Sequence, residues 1–213
     1  MKYAKLKRKL KLIHALPLTD HYLRLHRSIS WLKMAEEEEQ LDIQYLGWWI
    51  AFNSCYASES IGETVKIERE RFEDFLKKLI DHDGERRIFN MLWNTYSGPV
   101  RVLIENKFVF KAFWDHQRGL QVNWQKLHEK SIELAHQALS EGDVHKILEI
   151  VLDRLYTLRN QLFHGGATYN SKINRPQVKD GCHILAQLVP VIIDIMIDQP
   201  EVNWGKVNYP IVD

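Results

Sequence analysis

From Val144 to Leu162 the apolar residues recur at intervals of four, three, four, three and four: Val144, Leu148, Val151, Leu155, Leu158 and Leu162. An α-helix turns once in about 3.6 residues, so this spacing lays one apolar stripe along one helix face. A half-buried strand would need strict alternation, and such alternation is nearly absent from the chain. Apolar residues that keep the helical period throughout can be buried only by packing helix on helix. The predicted fold class is therefore all-α.

Capping and breaking residues divide the chain. Thr19 or Asp20 caps a helix carrying Tyr22, Leu25, Ile29 and Leu32, which gives out at the acidic block Glu36 to Glu39. A second helix begins near Leu41. Its small residues Gly47, Ala51, Ser54, Cys55 and Ala57 permit close approach, while Trp48, Trp49 and Phe52 fill volume. A charged helix runs from Glu63 to near Asp83-Gly84, and shorter helices follow through Ile88 to Tyr96 and Pro99 to His116. Asn123 or Val122 opens the next helix, which stops at Glu141-Gly142. Asp143 caps the striped helix, and Asn174 with Pro176 opens the last one. That helix carries Val178, Cys182, Leu185, Val189, Ile192 and Met196 on one face, and Pro190 should bend it. Residues 1–213 read as a single helical domain. Its bundle core is expected at about 18–60 and 123–199, a helical insertion at about 61–122, and an irregular strap at 200–213 held by Trp204 and Tyr209. The basic stretch Tyr3 to Leu16 reads as a lead-in closed by Pro17.

With 45% hydrophobic residues and a net charge of +1, the chain can bury a substantial core and exerts no global pull on nucleic acid. Any polyanion site must be local. Cys55 and Cys182 stand far apart in apolar surroundings, which predicts buried free thiols in a reducing cytosol. The apolar run from Ile184 to Ile197 is interrupted by Pro190 and Asp194 and is short for a bilayer, so no membrane association is expected. The basic N-terminus lacks the apolar core of a signal peptide. No metal-ligand spacing, phosphate-binding glycine loop or serine nucleophile elbow occurs, and no cofactor is expected.

The stretch RNQLFHGG, residues 159–166, closes the striped helix. Asn160 and His164 are four apart and share a face. Arg159 and His164 are five apart, about 140° around the axis, so in one undistorted helix they cannot reach the same atom. They converge if the helix unwinds at Gly165-Gly166, or if two copies meet across a dimer axis.

An Arg-Asn-x-x-x-His motif ending a helix in an all-α chain resembles the HEPN superfamily, with Arg159, Asn160 and His164 at the motif positions. The aromatic segment WWIAFNSCY, residues 48–56, is similar to an early helix of that family. The resemblance covers about 20–60 and 123–199 and implies a HEPN-like up-down bundle with a helical insertion between those parts. It further implies a metal-independent ribonuclease of a toxin–antitoxin, abortive-infection or related defence system, acting on an RNA substrate as a homodimer that joins two motifs in one cleft. An antitoxin protein is a possible partner. Some family members carry a tyrosine two residues after the motif histidine that the antitoxin modifies. This chain has Gly166 there and Tyr169 beyond it, so that route of inhibition is not implied.

The chemistry suits the residues. Cleaving RNA without a metal needs a base for the 2′-hydroxyl, an acid for the leaving 5′-oxygen and positive charge on the phosphorane between them. Histidine titrates near neutrality and serves in either role. Arginine offers a fixed fork of donors to two phosphate oxygens. Asn160, one turn before His164, could hold one ring nitrogen. Lys172 and Arg175, on the loop beside the motif, are expected to bind substrate. The run KLKRKLK, residues 5–11, could touch phosphate, although Leu6, Leu10 and Leu12 suggest packing.

Two other readings use the same residues. One is a non-catalytic module that binds RNA or a partner protein. The other is a purely structural role, in which Arg159 and His164 complement the helix dipole and Arg159 pairs with a carboxylate such as Asp153 or Asp180.

Overall fold

The computed structural model describes residues 1–13, 19–57, 65–95, 97–207 and 209. The expected stop at Pro17, the helix start at Glu63, Tyr96 and residues 210–213 of the strap lie outside them. The described residues form ten α-helices and no strand: α1 (Lys2–Ile13), α2 (Asp20–Glu37), α3 (Leu41–Tyr56), α4 (Val65–Asp81), α5 (Arg87–Asn90), α6 (Ser97–Glu105), α7 (Lys111–Gln117), α8 (Trp124–Glu141), α9 (Val144–Phe163) and α10 (Arg175–Asp198). The chain divides into two compact units, Met1–Glu85 with Leu185–Asp213, and Arg86–Ile184.

In the first unit α2 and α3 form a helical hairpin across Glu38–Gln40, and Thr19 caps α2 by accepting the Tyr22 N–H. The two helices meet where Gly47 sits: a Cβ there would come within 2.6 Å of Met34 Cε and 3.1 Å of Ala35 Cβ, so the small residue sets the approach. Ser28 Oγ donates to the Ala51 carbonyl at 2.6 Å and lies 3.1 Å from Cys55 Sγ. Burial pushes the Cys55 thiol up to about 11, which makes it an inert packing group. Arg24 is 1% exposed. One guanidinium nitrogen donates to the Cys55 and Ala57 carbonyls at 3.0 and 2.8 Å, the other to Gly205 and Lys206 at 3.3 and 2.9 Å.

The basic N-terminal lead-in packs through two of the three leucines that suggested it. It is the helix α1, with Leu6 and Leu10 buried and Leu12 exposed. Leucines at i and i+4 give it one apolar face, and Lys9 reaches Asp194 at 2.5 Å and Asp198 at 2.7 Å. The strap is held as expected by Trp204, whose ring contacts Phe75 and His82 and whose Nε1 donates to the Gln199 carbonyl. Tyr209 is placed differently from the expectation: its ring is exposed, and among the described residues it is held through its carbonyl, which accepts from Arg27.

The second unit is built around α9. The interior of the stripe (Leu148, Val151, Leu155 and Leu158) is buried, and Ile147, Ile150 and Leu152 are buried beside it, so α9 is covered over more than one face. Asn123 and Asp143 cap α8 and α9 through their side chains, and Gly142 ends α8 at φ +71°. The helix expected over Pro99 to His116 is broken in two. Asn106 turns extended and its side chain accepts the Phe108 N–H, diverting the backbone into a short 3₁₀ turn before α7. After α5 the chain is wound as a π-helix over Met91–Thr95.

Arg154, which the pattern analysis passed over, is 1% exposed. It donates to Ser131 Oγ at 2.8 Å and lies over the Phe110 ring at 4.4 Å. Its neighbour His128 lies tilted against the Phe110 ring, with Nε2 enclosed and, among the described residues, without a hydrogen-bond partner. Burial holds the His128 pKa below the usual imidazole range, and the Arg154 charge adds to this against weaker opposing pulls from a hydrogen bond with the Ile104 backbone and from Glu129. The folded chain thus keeps His128 neutral at a pH where the unfolded chain is protonated, so unfolding takes up a proton. Stability is expected to fall as pH drops below about 6.5, the ordinary imidazole value, and to go on falling until the lower folded pKa is passed. Thermal melts from pH 7.5 to 5 check this. His128→Gln should flatten the slope, and an unchanged slope would count against it.

Helix α10 is, among the described residues, the one helix long and apolar enough to cross a membrane, with a mean hydropathy of 1.6, and 67% of that stretch is buried within the protein. It is continuous through Pro190.

Candidate functional site

The geometry of the RNQLFH segment follows from which faces α9 buries. With Leu155 and Leu158 turned inward, Tyr156, Asn160 and Phe163 fall on an outward row at four- and three-residue spacing. Tyr156 and Phe163 are exposed, and Arg159 and Asn160 are half-buried. The helix ends at Phe163, and His164 is its capping residue (φ −94°, ψ 15°), donating its backbone N–H to the Asn160 carbonyl at 3.1 Å. Gly165 follows in the left-handed region at φ +69°, a conformation that favours glycine. A Cβ on Gly166 would lie 3.2 Å from the Gln161 carbonyl oxygen, so the second glycine makes room for the turn. The unwinding therefore begins at His164, one residue before the glycines.

Arg159 and His164 meet through a side chain that the sequence analysis did not single out. The Arg159 guanidinium stands 4.2 Å from the centre of the Phe163 ring, and the His164 imidazole meets the same ring edge-on at 5.4 Å. Phe163 is four residues after Arg159, so the i, i+4 rule was the available signal. The cation and the imidazole thus share one aromatic neighbour within a single chain. His164 is exposed, so its ring is open to solvent.

Asn160 is placed differently from the expectation. Its side-chain oxygen accepts from Arg159 Nη1 at 2.9 Å, so this amide orients the guanidinium and not the imidazole. Its link to His164 is through the backbone carbonyl. Among the described residues Arg159 pairs with no carboxylate, and Asp153 instead lies 3.4 Å from Arg154.

The two loop cations differ. Lys172 is exposed. Arg175, half-buried at the start of α10, donates through Nε to the Ser171 carbonyl at 3.1 Å, which fixes it to the loop. Asn174 accepts the Val178 N–H with its carbonyl, as a helix-opening residue should, but among the described residues its buried side-chain amide has no hydrogen-bond partner, nor has Gln177 Oε1. Tyr169 and Ile173 project from the same loop, 64% and 91% exposed. The last turn of α9 is braced from outside by Gln161, whose Nε2 donates to the Phe108 carbonyl at 2.6 Å. Among the described residues no three His, Cys, Asp or Glu side chains gather as a metal-binding set. No family model, curated protein or solved structure matches the chain.

Proposed function

We propose that this protein is a HEPN-type ribonuclease that cleaves RNA without a metal ion and acts as a homodimer. The observation that carries the reading is the solvent-open His164 imidazole and the Arg159 guanidinium placed on one phenyl ring at the end of α9. Arg159 clamps the scissile phosphate, and Asn160 sets the angle of its fork. His164 takes the proton from the 2′-hydroxyl or gives one to the leaving 5′-oxygen. The 2′-oxygen bonds to phosphorus as the bond to the 5′-oxygen breaks, leaving a 2′,3′-cyclic phosphate and a 5′-hydroxyl. Lys172 and Arg175 hold flanking phosphates.

One chain supplies one motif histidine, and a second copy supplies the other. Exposed Tyr156 and Phe163 on α9 and exposed Tyr169 and Ile173 on the loop that follows support that second copy, because large apolar side chains left open to solvent gain from being covered. The HEPN-like up-down arrangement, the cytoplasmic setting, a defence or toxin–antitoxin role and an antitoxin partner belong to the same proposal. The exposed aromatics also favour a second reading, a non-catalytic module that stacks RNA bases on Tyr156, Phe163 and Tyr169.

Incubation of the purified protein with total RNA in excess EDTA, followed by end-group analysis, separates the two. The enzyme yields fragments ending in 2′,3′-cyclic phosphate. Cleavage only on adding a divalent metal, or binding without cleavage, removes it.

A further inference from the structure

Six of the twelve residues of α1 are basic, and the fold divides them. Lys2 and Lys9 are spent on α10: Lys2 Nζ donates to the Ala186 carbonyl at 2.7 Å and to the Gln187 side chain, and Lys9 pairs with Asp194 and Asp198. Lys7 and Lys11, one helical turn apart, have no carboxylate partner among the described residues. They line a cavity between α1 and α2 of about 170 Å³, together with His26 and Lys33 of α2 and the rings of Tyr3 and Tyr22. Lys33 reaches its nearest carboxylate, Glu37, only at 3.8 Å. Among the described residues no carboxylate lines the cavity.

Three ammonium groups and an imidazole around one opening favour a bound anion over a bound cation. The volume is below the roughly 300 Å³ at which sites for larger ligands begin, so one small group is accommodated. Tyr22 stacks against His26 at 6.0 Å, and Leu10 and Ile29 add apolar wall, which gives a planar ring somewhere to lie. We propose that this cavity binds the phosphate end of a nucleotide, free or at the 5′ terminus of an RNA strand. The site is independent of the motif on α9 and does not rest on the ribonuclease reading.

The test uses the full chain and a fluorescent 2′-O-methyl pentanucleotide, which cannot be cleaved by 2′-hydroxyl attack, so loss of nuclease activity and loss of this site are read separately. Anisotropy titrations compare the 5′-phosphorylated probe with its 5′-hydroxyl form. The expected result is at least tenfold tighter binding of the phosphorylated probe, lost in Lys7→Gln/Lys11→Gln. The control Lys5→Gln/Arg8→Gln removes the same charge from exposed positions of α1 that do not line the cavity, and it should weaken binding less than threefold. Competition by adenosine monophosphate, but not by inorganic phosphate at equal concentration, assigns the ring contact and identifies the free nucleotide as a ligand; competition only by phosphorylated strands assigns the RNA terminus. Equal weakening in both double variants, equal affinity for the two probes, or displacement by inorganic phosphate alone overturns the proposal.

Discussion

Substituting His164 by alanine is expected to lower RNA cleavage by about 10²- to 10⁴-fold, the usual contribution of a positioned general acid or base. The thermal midpoint should move by no more than about 2 °C, because surface substitutions usually fall within about 0.5 kcal/mol. The structure supplies the reason for the second half. The imidazole is exposed and its described contact is the edge of Phe163, while the capping hydrogen bond to Asn160 comes from the backbone and survives the substitution. Arg159→Lys keeps the charge but loses the planar fork and its seat on Phe163, and should cost cleavage about tenfold or more. Initial rates in EDTA, set beside melts of the same preparations, read both quantities. Cleavage that persists in His164→Ala at the parental rate would move the activity away from this motif altogether.

Replacing Arg24 by alanine should destabilise the first unit by about 3 to 4 kcal/mol, among the larger effects of a single substitution. The four carbonyls it serves belong to the end of α3 and to the strap, at Cys55, Ala57, Gly205 and Lys206. Losing the guanidinium removes the donor of the buried Cys55 carbonyl and of the part-buried Ala57, Gly205 and Lys206 carbonyls, and opens a hole where a large side chain stood, and each of these costs free energy. Burial depresses the Arg24 pKa, the cost of enclosing that charge, and the carbonyl oxygens around it offset this cost. Urea unfolding gives the value directly. Arg24→Lys should recover only part of the loss, since one ammonium cannot span two pairs of acceptors. A midpoint unchanged in Arg24→Ala would mean that the strap is not held through this residue.

Much of this was legible in residue order. Helical class follows from periodicity, because a stripe of Leu148, Val151, Leu155 and Leu158 has only one way of becoming continuous. Caps at Thr19, Asn123 and Asp143 and the stop at Gly142 are local chemistry, decided within one turn of backbone, and each is found in place. The close approach at Gly47 was likewise readable from size alone. Other features needed partners distant in sequence. Whether KLKRKLK is a free end or a packed helix depends on Asp194 and Asp198, and whether Tyr209 anchors the strap depends on Arg27 taking its carbonyl and leaving its ring outside. The break at Asn106 turns on a side chain competing with the helix for one N–H, which a period count does not weigh.

The sequence by itself determined the helices, most of their ends, and the presence of an arginine, an asparagine and a histidine where α9 stops. Tertiary structure decided what each of those groups faces. It buried Arg154 and left Arg159 at the edge, gave the Asn160 amide to Arg159 and not to His164, and set Phe163 between the two candidate catalytic groups. Backbone hydrogen bonds close within a few residues and so are written in the local sequence. The exposure and pairing of a side chain depend on which distant surfaces cover it, and those are fixed only when the helices pack.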